Sequence, residues 1–406
     1  MTWEKVRLGD IADCIQPGPF GSQLHSSDYS ESGTPIIMPK DMINGRISHA
    51  DLLYVGEDHV RRLKRHQVHE GNIMVARKGD VRKCVFITDN EDGWMTGSDC
   101  LKVALNEAVC FPKFIYYQLR SPFIGKWLET ISIGATMPSL NTGLLSGIEL
   151  VLPPYATQKR ISDILSAYDD LIENNQKQIK LLEEAAQRLY KEWFIDLRFP
   201  GHESTPIVNG LPEGWTEKHA EDFFEMTIGK TPPRAEVKWF LPGDSGIPWV
   251  SITDMGSSGA YILKTDESLS SEAITSHNVK VIPKGTILLS FKLTVGRVSI
   301  TTKAMCTNEA IAHFRVDDET RGYTYLYLKD FEYEKLGNTS AISKAVNSKI
   351  VKAMPFIMPD NKTLASFAAI VNPLLNEIYN RQYQNLQLVE ARDRLLPRLV
   401  SRELEV

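Results

Sequence analysis

The chain has 406 residues, enough for two or more domains, and its 42% hydrophobic and 24% charged residues are typical of a globular protein. No apolar run approaches the roughly 20 residues that cross a bilayer, and Met1–Lys5 lacks a signal-peptide core. The five cysteines form no CxxC pair, which argues against a disulfide framework or a zinc site and favours a reducing cytoplasm. A net charge of −5 argues weakly against nucleic acid as a partner unless Lys and Arg are concentrated locally.

The first segment, residues 1–156, is rich in short apolar runs interrupted by Gly, Pro and Asn. Such punctuation predicts strands and turns with a few helices. A long helix is predicted next, over residues 157–196, because no Gly or Pro stands between about Thr157 and Phe194. Its apolar residues follow the spacing of a coiled-coil seam, with Asn175 as a polar break. The seam residues are Leu165, Tyr168, Ile172, Ile179, Leu182, Ala186, Leu189 and Trp193.

Residues 197–214 are predicted to be a linker, since three Pro and three Gly within residues 199–215 prevent the helix from continuing. A second segment of mixed strands and helices is predicted over residues 215–361, and a second long helix over residues 362–406. Pro373 predicts a kink or a late start of that helix, and Pro397 predicts fraying. The seam of the second helix is predicted at Leu374, Ile378, Leu388, Leu395 and Leu399.

The second half of the chain repeats the first. The paired segments are, in chain order, Gly33–Met42 with Gly246–Met255, Gly71–Ala76 with Gly285–Ser290, Val81–Lys83 with Val295–Arg297, Phe114–Tyr117 with Tyr325–Leu328, Asn141 with Asn347, and Leu152-Pro153 with Met358-Pro359. An ordered series of this kind indicates internal duplication. We therefore predict an α+β fold, in which two similar mixed α/β domains are joined by two long antiparallel coiled-coil helices, with a pseudo-two-fold internal repeat.

The alternative for the helices is that each packs separately on its own domain. A helix of about 38 residues is roughly 57 Å long, and a small domain covers such a helix only in part. Two seams at equivalent places in a repeat favour pairing of the helices with each other.

Positive charge is concentrated at equivalent places in the two halves. Residues 59–83 hold eight Lys or Arg against two acids, and residues 273–308 hold five Lys or Arg and no acid. Polar loops with amide and hydroxyl groups lie near both runs; Arg and Lys suit phosphate or guanine, and Gln and Asn suit adenine. A solvated face is the alternative for each run, and the repeated placement favours phosphate contact. The candidate nucleic-acid contacts are Ser22, Gln23, Lys40, Arg77, Lys78, Arg82, Lys83, Ser98, Lys230, Arg234, Thr253, Lys292, Arg297, Thr307 and Asn308.

Motifs that carry catalysis are missing from the sequence. The segment Leu152–Tyr155 resembles the Asp/Asn-Pro-Pro-Tyr of amino-methyltransferases, but Leu cannot accept a hydrogen bond from a target amine, so we interpret the segment as a strand leading into the long helix. The sequence has no GxxxxGK[ST] phosphate loop, HExxH motif or Cys/His cluster. We interpret His59, His66 and His69 as solvated or phosphate-adjacent, and Gly18–Ser22 as a tight turn that brings the backbone to a ligand. No catalytic residue, cofactor or metal is predicted.

Several longer motifs together form a recognisable pattern. They are Trp3 with Leu8–Ala12, Gly18–Leu24 with Ser27–Tyr29, the helix start Leu152-Pro153-Pro154 with Gln158 and Ile161, and Trp193-Phe194 with Arg198–Gly201 and Gly210–Trp215. With these motifs the sequence resembles the specificity subunit of type I restriction–modification systems over nearly its whole length. The last motif, a helix end followed by the start of a second domain, is the most specific. The second helix departs from the pattern, with Leu364 at the place of Gln158 and Phe367 at the place of Ile161.

The resemblance implies that each half is a target-recognition domain that reads one part of a split double-stranded DNA site. The helices would fix the spacer between the parts and dock two methyltransferase subunits that modify adenine N6, to which restriction subunits are added. The chain itself would be a non-catalytic specificity subunit. The docking residues would be Leu165, Ile172, Ile179, Leu182, Leu189, Ile378, Leu388 and Leu395.

Two other functions remain as alternatives. The first is a self-sufficient methyltransferase or nuclease with degenerate motifs, against which the missing motifs argue. The second is a duplicated scaffold or ligand-binding protein that oligomerises through its helices, against which the two basic runs argue.

Overall fold

A computed structural model of the chain describes residues 3–132, 138–292, 294–336, 347–401 and 403–404. The chain divides into two compact units, one made of Met1–Ile172 with Gln387–Val406 and the other of Glu173–Leu386. Each unit contains one globular domain and parts of two long helices, α5 (Tyr155–Tyr190) and α11 (Asn361–Val400). No helix in the described part of the chain combines the length and apolar character that a membrane crossing requires.

Within its described residues, the first domain holds twelve strands and four short helices. The strands are β1 (Glu4–Arg7), β2 (Ala12–Pro17), β3 (Tyr29–Ser30), β4 (Thr34–Ile37), β5 (Met42–Ile43), β6 (Arg46–Ile47), β7 (Leu53–Val55), β8 (Ile73–Ala76), β9 (Cys84–Phe86), β10 (Met95–Thr96), β11 (Cys100–Leu105) and β12 (Glu149–Leu152). The helices are α1 (Glu57–Arg62), α2 (Pro112–Leu119), α3 (Pro122–Ile131) and α4 (Thr142–Ser146). Two four-stranded sheets have the orders β2-β11-β8-β9 and β10-β4-β7-β3, and β1 pairs with β12.

The second unit contributes the linker and the second domain. Its strands are β13 (Ile207–Val208), β14 (Leu211–Pro212), β15 (Thr216–His219), β16 (Glu225–Ile228), β17 (Phe240–Pro242), β18 (Ile247–Val250), β19 (Tyr261–Ile262), β20 (Glu267–Leu269), β21 (Ile287–Ser290), β22 (Val298–Thr301), β23 (Cys306–Thr307), β24 (Ile311–Arg315) and β25 (Pro355–Met358). Its short helices are α6 (Ala220–Phe223), α7 (Ile252–Ser257), α8 (Ser271–Ser276), α9 (Asp318–Asp330) and α10 (Ser348–Lys352). The sheets have the orders β16-β24-β21-β22-β19 and β17-β20-β18-β23, and β15 pairs with β25.

The two domains share one topology, which confirms the predicted duplication. The sheet β2-β11-β8-β9 corresponds strand for strand to β16-β24-β21-β22, and β10-β4-β7-β3 corresponds to β23-β18-β20-β17. In each second sheet the first-named pair, β10 with β4 and β23 with β18, is parallel, and the strands that follow pair antiparallel. The domains differ outside these shared sheets. The first domain has the hairpin β5–β6 where the second domain has α7 and the extra strand β19.

Matching hydrogen bonds reinforce the correspondence. Asp41 Oδ2 accepts a hydrogen bond from the main-chain amide three residues earlier at 2.8 Å, and Asp254 Oδ2 accepts the equivalent bond at 2.7 Å. Both carboxylates are buried, so each fixes the turn that follows its strand, β4 or β18. Asn141 and Asn347 cap α4 and α10 through bonds of 2.8 and 3.0 Å from the amide three residues later. Four of the matched residues thus have the same structural role in both halves.

The two long helices pair in both units. In the first unit, Arg392 Nη1 lies 2.5 Å from Asp169 Oδ1, while Leu165, earlier on α5, shares a core with Leu399, later on α11. In the second unit, Asn175 Nδ2 donates to the side chains of Gln384 and Asn385 at 3.1 and 2.9 Å, and Trp193 packs against Phe367. Later residues of one helix meet earlier residues of the other, so the pairing is antiparallel as predicted. Asn175 is the predicted polar break, and its amide is satisfied within the seam.

The second helix has no late start at Pro373. It begins at Asn361 and continues through Pro373 and Pro397 to Val400, so it also extends past the proline at which fraying was expected. The kink that was the other possibility at Pro373 stays a prediction. Both prolines are exposed, and the carbonyl that each leaves without an amide donor is on an exposed residue, where water can bind it. The predicted limit at residue 406 lies outside the described residues.

The end of the first helix explains its most specific motif. A π-helical turn, Lys191–Ile195, follows α5 and turns Trp193 and Phe194 into the core of the second unit. The Phe194 ring packs edge-on against Tyr323 at 4.6 Å and against Phe367 at 4.7 Å, and it also contacts Trp215. The motif is therefore an aromatic cluster that joins the helix end to the start of the second domain.

The linker has more structure than predicted. Strands β13 and β14 form a hairpin whose turn is Asn209-Gly210, both with positive φ (53° and 86°). Asn-Gly is the preferred pair for a two-residue hairpin turn of this kind. Phe199 is buried against Trp215, so the segment is anchored at one point.

Candidate nucleic-acid interface

Four loops meet at one edge of the first domain, and we call them the first loop cluster: residues 18–23, 38–40, 77–83 and 97–99. The Gly18 amide donates to the Cys100 carbonyl at 3.0 Å, and the Gly97 amide donates to the Ile37 carbonyl at 2.9 Å. The Arg77 amide donates to the carbonyl of residue 99 at 2.7 Å, and the ammonium group at residue 83 donates to the carbonyl of residue 39 at 2.8 Å. Segments that are far apart in sequence thus form one surface.

The second domain repeats this arrangement, and we call it the second loop cluster: residues 229–234, 251–253, 291–292 with 294–297, and 308–309. The Gly229 amide donates to the Ile311 carbonyl at 3.1 Å, and the Asn308 amide donates to the Val250 carbonyl at 3.0 Å. The Phe291 amide donates to the carbonyl of residue 310 at 2.9 Å, and the guanidinium at residue 297 donates to the carbonyl of residue 252 at 2.6 Å. Each bond has its counterpart in the first loop cluster.

Two equivalent glycines bring the loops together. A Cβ atom at Gly18 would lie 1.9 Å from the Gly97 carbonyl oxygen, and one at Gly229 would lie 2.0 Å from the Asn308 carbonyl oxygen. Both contacts are with backbone, which cannot rotate away. Glycine at Gly18 is therefore required by the neighbouring loop, whereas the sequence had suggested approach to a ligand.

All eight candidates of the first domain lie on the first loop cluster: Ser22, Gln23, Lys40, Arg77, Lys78, Arg82, Lys83 and Ser98. Several of their charges are paired. Lys78 lies 3.0 Å from Asp99, and Arg82 lies 2.8 Å from Asp80 and 3.3 Å from Glu129. These pairs are substantially exposed, so they stabilise the domain little and can be exchanged for phosphate contacts.

Of the seven candidates in the second domain, six have exposed or half-buried side chains: Lys230, Arg234, Thr253, Lys292, Arg297 and Asn308. Arg234 is the most strongly fixed of the six. Its Nη1 donates to both carboxylate oxygens of Glu267 at 2.8 Å, and its guanidinium carbon lies 4.0 Å from the Phe240 ring centre and 4.5 Å from that of Trp249. This aromatic platform presents a guanidinium in a defined orientation.

Thr307 does not belong to the interface. Its side chain is completely buried, and its Oγ1 hydrogen-bonds to His313 Nε2 at 2.7 Å. His313 Nδ1 bonds to Thr227 at 2.8 Å, and burial lowers the pKa of His313 to about 4, so a neutral imidazole links the two hydroxyls. The prediction for Thr307 is corrected, because the side chain points inward where the strand ends.

Lys83 and Arg297 are half-buried supports, one in each loop cluster. They stand at equivalent places, and each spans to a main-chain carbonyl, at residues 39 and 252, as described above. One N–H of each group holds the loop that follows β4 or β18, while an ammonium or guanidinium group has further N–H donors. Their predicted role as direct contacts stays untested, and the geometry supports a positioning role.

The prediction for His66 is wrong. His66 is buried, and its Nδ1 lies 2.9 Å from the Gln16 amide and 3.1 Å from the Pro17 carbonyl. Burial and the neighbouring Arg65 lower its pKa to about 4. His59 and His69 are more open and lie 3.7 and 3.2 Å from Asp carboxylates.

Comparison with known proteins identifies the architecture. The model of the family described as "Type I restriction modification DNA specificity domain" matches residues 1–184 and again residues 212–388. The chain belongs to this family. The two matches coincide with the two halves of the repeat, and membership confirms the prediction of a non-catalytic specificity subunit.

Relatives of this specificity subunit align along its whole length. It is 24% identical to the type I restriction enzyme MjaIX specificity subunit of Methanocaldococcus jannaschii, over 100% of this chain and 94% of the relative. It is also 24% identical to the HindI specificity subunit of Haemophilus influenzae, over 99% of both chains. Among solved structures, a type I restriction–modification S subunit from M. genitalium has the same fold, with a TM-score of 0.56 at 16% identity over 98% of this chain and 96% of that one.

The predicted docking residues of the specificity subunit lie mostly in its own seam. Leu165 and Ile378 are completely buried, so their side chains offer no surface to another subunit, and the prediction for them is corrected. The other six are half-buried within the described helices: Ile172, Ile179, Leu182, Leu189, Leu388 and Leu395. Exposed apolar side chains of the first helix stand elsewhere, at Ile164, Leu171 and Leu181, which are 38%, 49% and 64% exposed.

Three features of the interface were missed. Phe20 is exposed in the first loop cluster, with the Arg77 guanidinium 5.4 Å from its ring centre. Glu309 and its hydrogen-bond donor Thr231 lie in the second loop cluster. Phe20 and Thr231 each stand two residues after the equivalent glycines Gly18 and Gly229, and this shared spacing is the sequence signal that could have found them.

Proposed function

We propose that this specificity subunit reads a bipartite double-stranded DNA target, with one loop cluster for each half-site. The observation that carries the proposal is that the same assembly of loops is built twice, with matching main-chain bonds and different exposed side chains. Two loop clusters with the same main-chain bonds but different exposed side chains are suited to bind DNA in the same way while recognising different base sequences.

The chemistry of each loop cluster suits a duplex. Lys78 and Lys292 occupy equivalent loop positions and are exposed, which suits phosphate contacts that fix orientation without reading sequence. Ser98 of the first domain corresponds to Glu309 of the second, so groups able to contact base edges differ between the domains. The two half-sites should therefore differ in sequence.

We further propose that the paired helices set the spacer between half-sites and dock two methyltransferase subunits, to which restriction subunits are added. Ile164, Leu171 and Leu181 support docking, because exposed apolar side chains on a long helix suit a helical partner. We assign the reading domains to residues 1–156 and 215–361, since strands β1 with β12 and β15 with β25 close each domain. We place the complex in the cytoplasm, where its DNA target lies.

Methylome sequencing of a host that expresses the chain with its methyltransferase partners tests the proposal. A motif with two specified parts and a non-specific spacer is expected. Two whole helical turns can be removed from each long helix, at positions that face each other across the antiparallel pair. This change should shorten the spacer and leave both half-site sequences intact. Altered half-site bases with an unchanged spacer would contradict these roles. Absence of salt-sensitive duplex binding, alone and with partners, would favour the scaffold alternative.

A further inference from the structure

One side chain in the second loop cluster has a charge that opposes DNA. Glu309 is exposed and follows Asn308 at the loop between β23 and β24. A carboxylate on a surface that meets phosphates lowers affinity through repulsion. A carboxylate at such a place can be explained by a structural partner in the protein or by a group on the DNA that donates a hydrogen bond to it.

The surroundings keep this carboxylate ionised and oriented. Thr231 Oγ1 donates a hydrogen bond to Glu309 Oε2. Partial burial alone would raise the pKa of Glu309, but this hydrogen bond, its own main-chain amide and the charges of Lys292 and Arg234 outweigh burial and lower the pKa. The donor holds one carboxylate oxygen, so the other can accept a hydrogen bond from outside the protein.

The supporting backbone is fixed on both sides of Glu309. The Asn308 amide is bonded to the Val250 carbonyl at 3.0 Å, and the Asn308 side chain accepts from the Ala310 amide at 3.0 Å. Such a support holds the carboxylate in place before any ligand arrives, which favours selective recognition. At the equivalent place the first domain has Ser98, a neutral side chain that can donate as well as accept.

We propose that Glu309 is a specificity-determining residue, which accepts a hydrogen bond from the exocyclic amine of cytosine or adenine in the major groove of the second half-site. Carboxylates are suited to the cytosine N4 amine, and they discriminate against thymine and guanine, which present only acceptors on their major-groove edges. Arg234 is held on its aromatic platform, and its positive charge acts on Glu309 together with that of Lys292. This positive charge offsets the repulsion between Glu309 and nearby phosphates. The proposal rests on the proposed function, because it requires the second loop cluster to meet DNA.

The test uses the complete complex of this chain with its methyltransferase subunits, and a DNA library in which each position of the second half-site is varied. Glu309→Ala should reduce discrimination at one position by on the order of tenfold or more, with the first half-site read as before. Where the unaltered complex prefers cytosine at that position, Glu309→Gln should shift the preference towards adenine, since an amide pairs with adenine through two bonds; where it prefers adenine, Glu309→Gln should keep that preference. The base preferred there by the unaltered complex distinguishes cytosine from adenine.

Glu225→Gln is the matched control. Glu225 is an exposed acid on β16 that pairs with Arg315 at 2.8 Å, so the change removes the same charge outside the loop cluster. A purely electrostatic role predicts that Glu309→Ala tightens binding of all DNA sequences equally, and this result would overturn the proposal. The proposal would also be overturned if the unaltered complex methylates a two-part site and Glu309→Ala leaves every base preference in the second half-site unchanged. A parent complex that reads no two-part site would instead refute the proposed function.

Discussion

A buried ion pair between the long helices gives the sharpest stability prediction. Arg392 and Asp169 have side chains that are only 11% and 14% exposed, and their nearest atoms are 2.5 Å apart. Asp169 Oδ2 also accepts from the Tyr117 hydroxyl at 2.8 Å and lies 3.6 Å from Arg120. Burial would lower the pKa of Arg392, but Asp169 and Asp393 outweigh it and raise the pKa, so the guanidinium stays charged.

Arg392→Met should destabilise the protein by about 3 kcal/mol. Removing one member of a buried pair costs roughly 3–5 kcal/mol because the other charge is left without its partner. We expect the lower end, since Arg120 and Tyr117 still solvate Asp169. The loss corresponds to a fall in Tm of roughly 6–12 °C for a unit of this size.

A double-mutant cycle separates the pair from packing. Asp169→Asn alone leaves Arg392 with only Asp393 as a carboxylate partner, whereas the double variant places a neutral amide beside Met. Denaturant unfolding of the four proteins should show the double variant to be more stable than the sum of the single losses predicts, by about 1 kcal/mol or more. Additive losses, or a loss below about 1 kcal/mol for Arg392→Met, would refute the assignment of a coupled ion pair.

Three further predictions concern single positions. Gly18→Ala should abolish reading of the first half-site and spare the second, because its Cβ would clash with the Gly97 carbonyl at 1.9 Å; methylome sequencing with Gly229→Ala as the reciprocal variant checks this. His313 has a pKa of about 4 in the folded protein, whereas a histidine in the unfolded chain takes up its proton near pH 6.5. The free energy of unfolding should therefore fall by up to about 3 kcal/mol as the pH falls from about 6.5 to about 4. His313→Gln should reduce this dependence on pH when unfolding is measured across the same range. Asn141→Ala should cost about 1 kcal/mol by removing the cap of α4, which calorimetry would detect, and Asn141→Asp, which keeps the acceptor, should cost less.

The sequence predicted two kinds of feature: those that depend on neighbouring residues, such as the long helices, and those that occur in both halves of the repeat. The helices followed from long stretches without Gly or Pro, and the common topology followed from matched segments such as Gly33–Met42 and Gly246–Met255. The seam was one residue out at two places, since Leu375 and Leu396 are buried where Leu374 and Leu395 were expected. Where two leucines are adjacent, a spacing of three or four residues allows either register, and only the partner surface decides.

The candidate interface stays a prediction, and its single residues could not be ranked from the sequence. Composition placed basic groups in loops that the structure brings together in each domain, but it could not show that Lys83 and Arg297 reach main-chain carbonyls. Thr307 ends β23, whose two residues are both buried, so neither the strand end nor the simple alternation of a half-buried strand could show from the sequence that Thr307 points inward. The exposed Glu309 was passed over because a search for positive charge ignores acids.

The pairing of the first and last strands of each domain has a practical consequence. Glu4 lies opposite Leu152, and Thr216 lies opposite Met358, in antiparallel pairs whose Cα atoms are roughly 5 Å apart. Each of the two domains therefore leaves and rejoins the rest of the chain at almost the same point. A foreign domain with the same two terminal strands could be grafted there with two short junctions, giving a chimaera that exchanges one half-site and keeps the other.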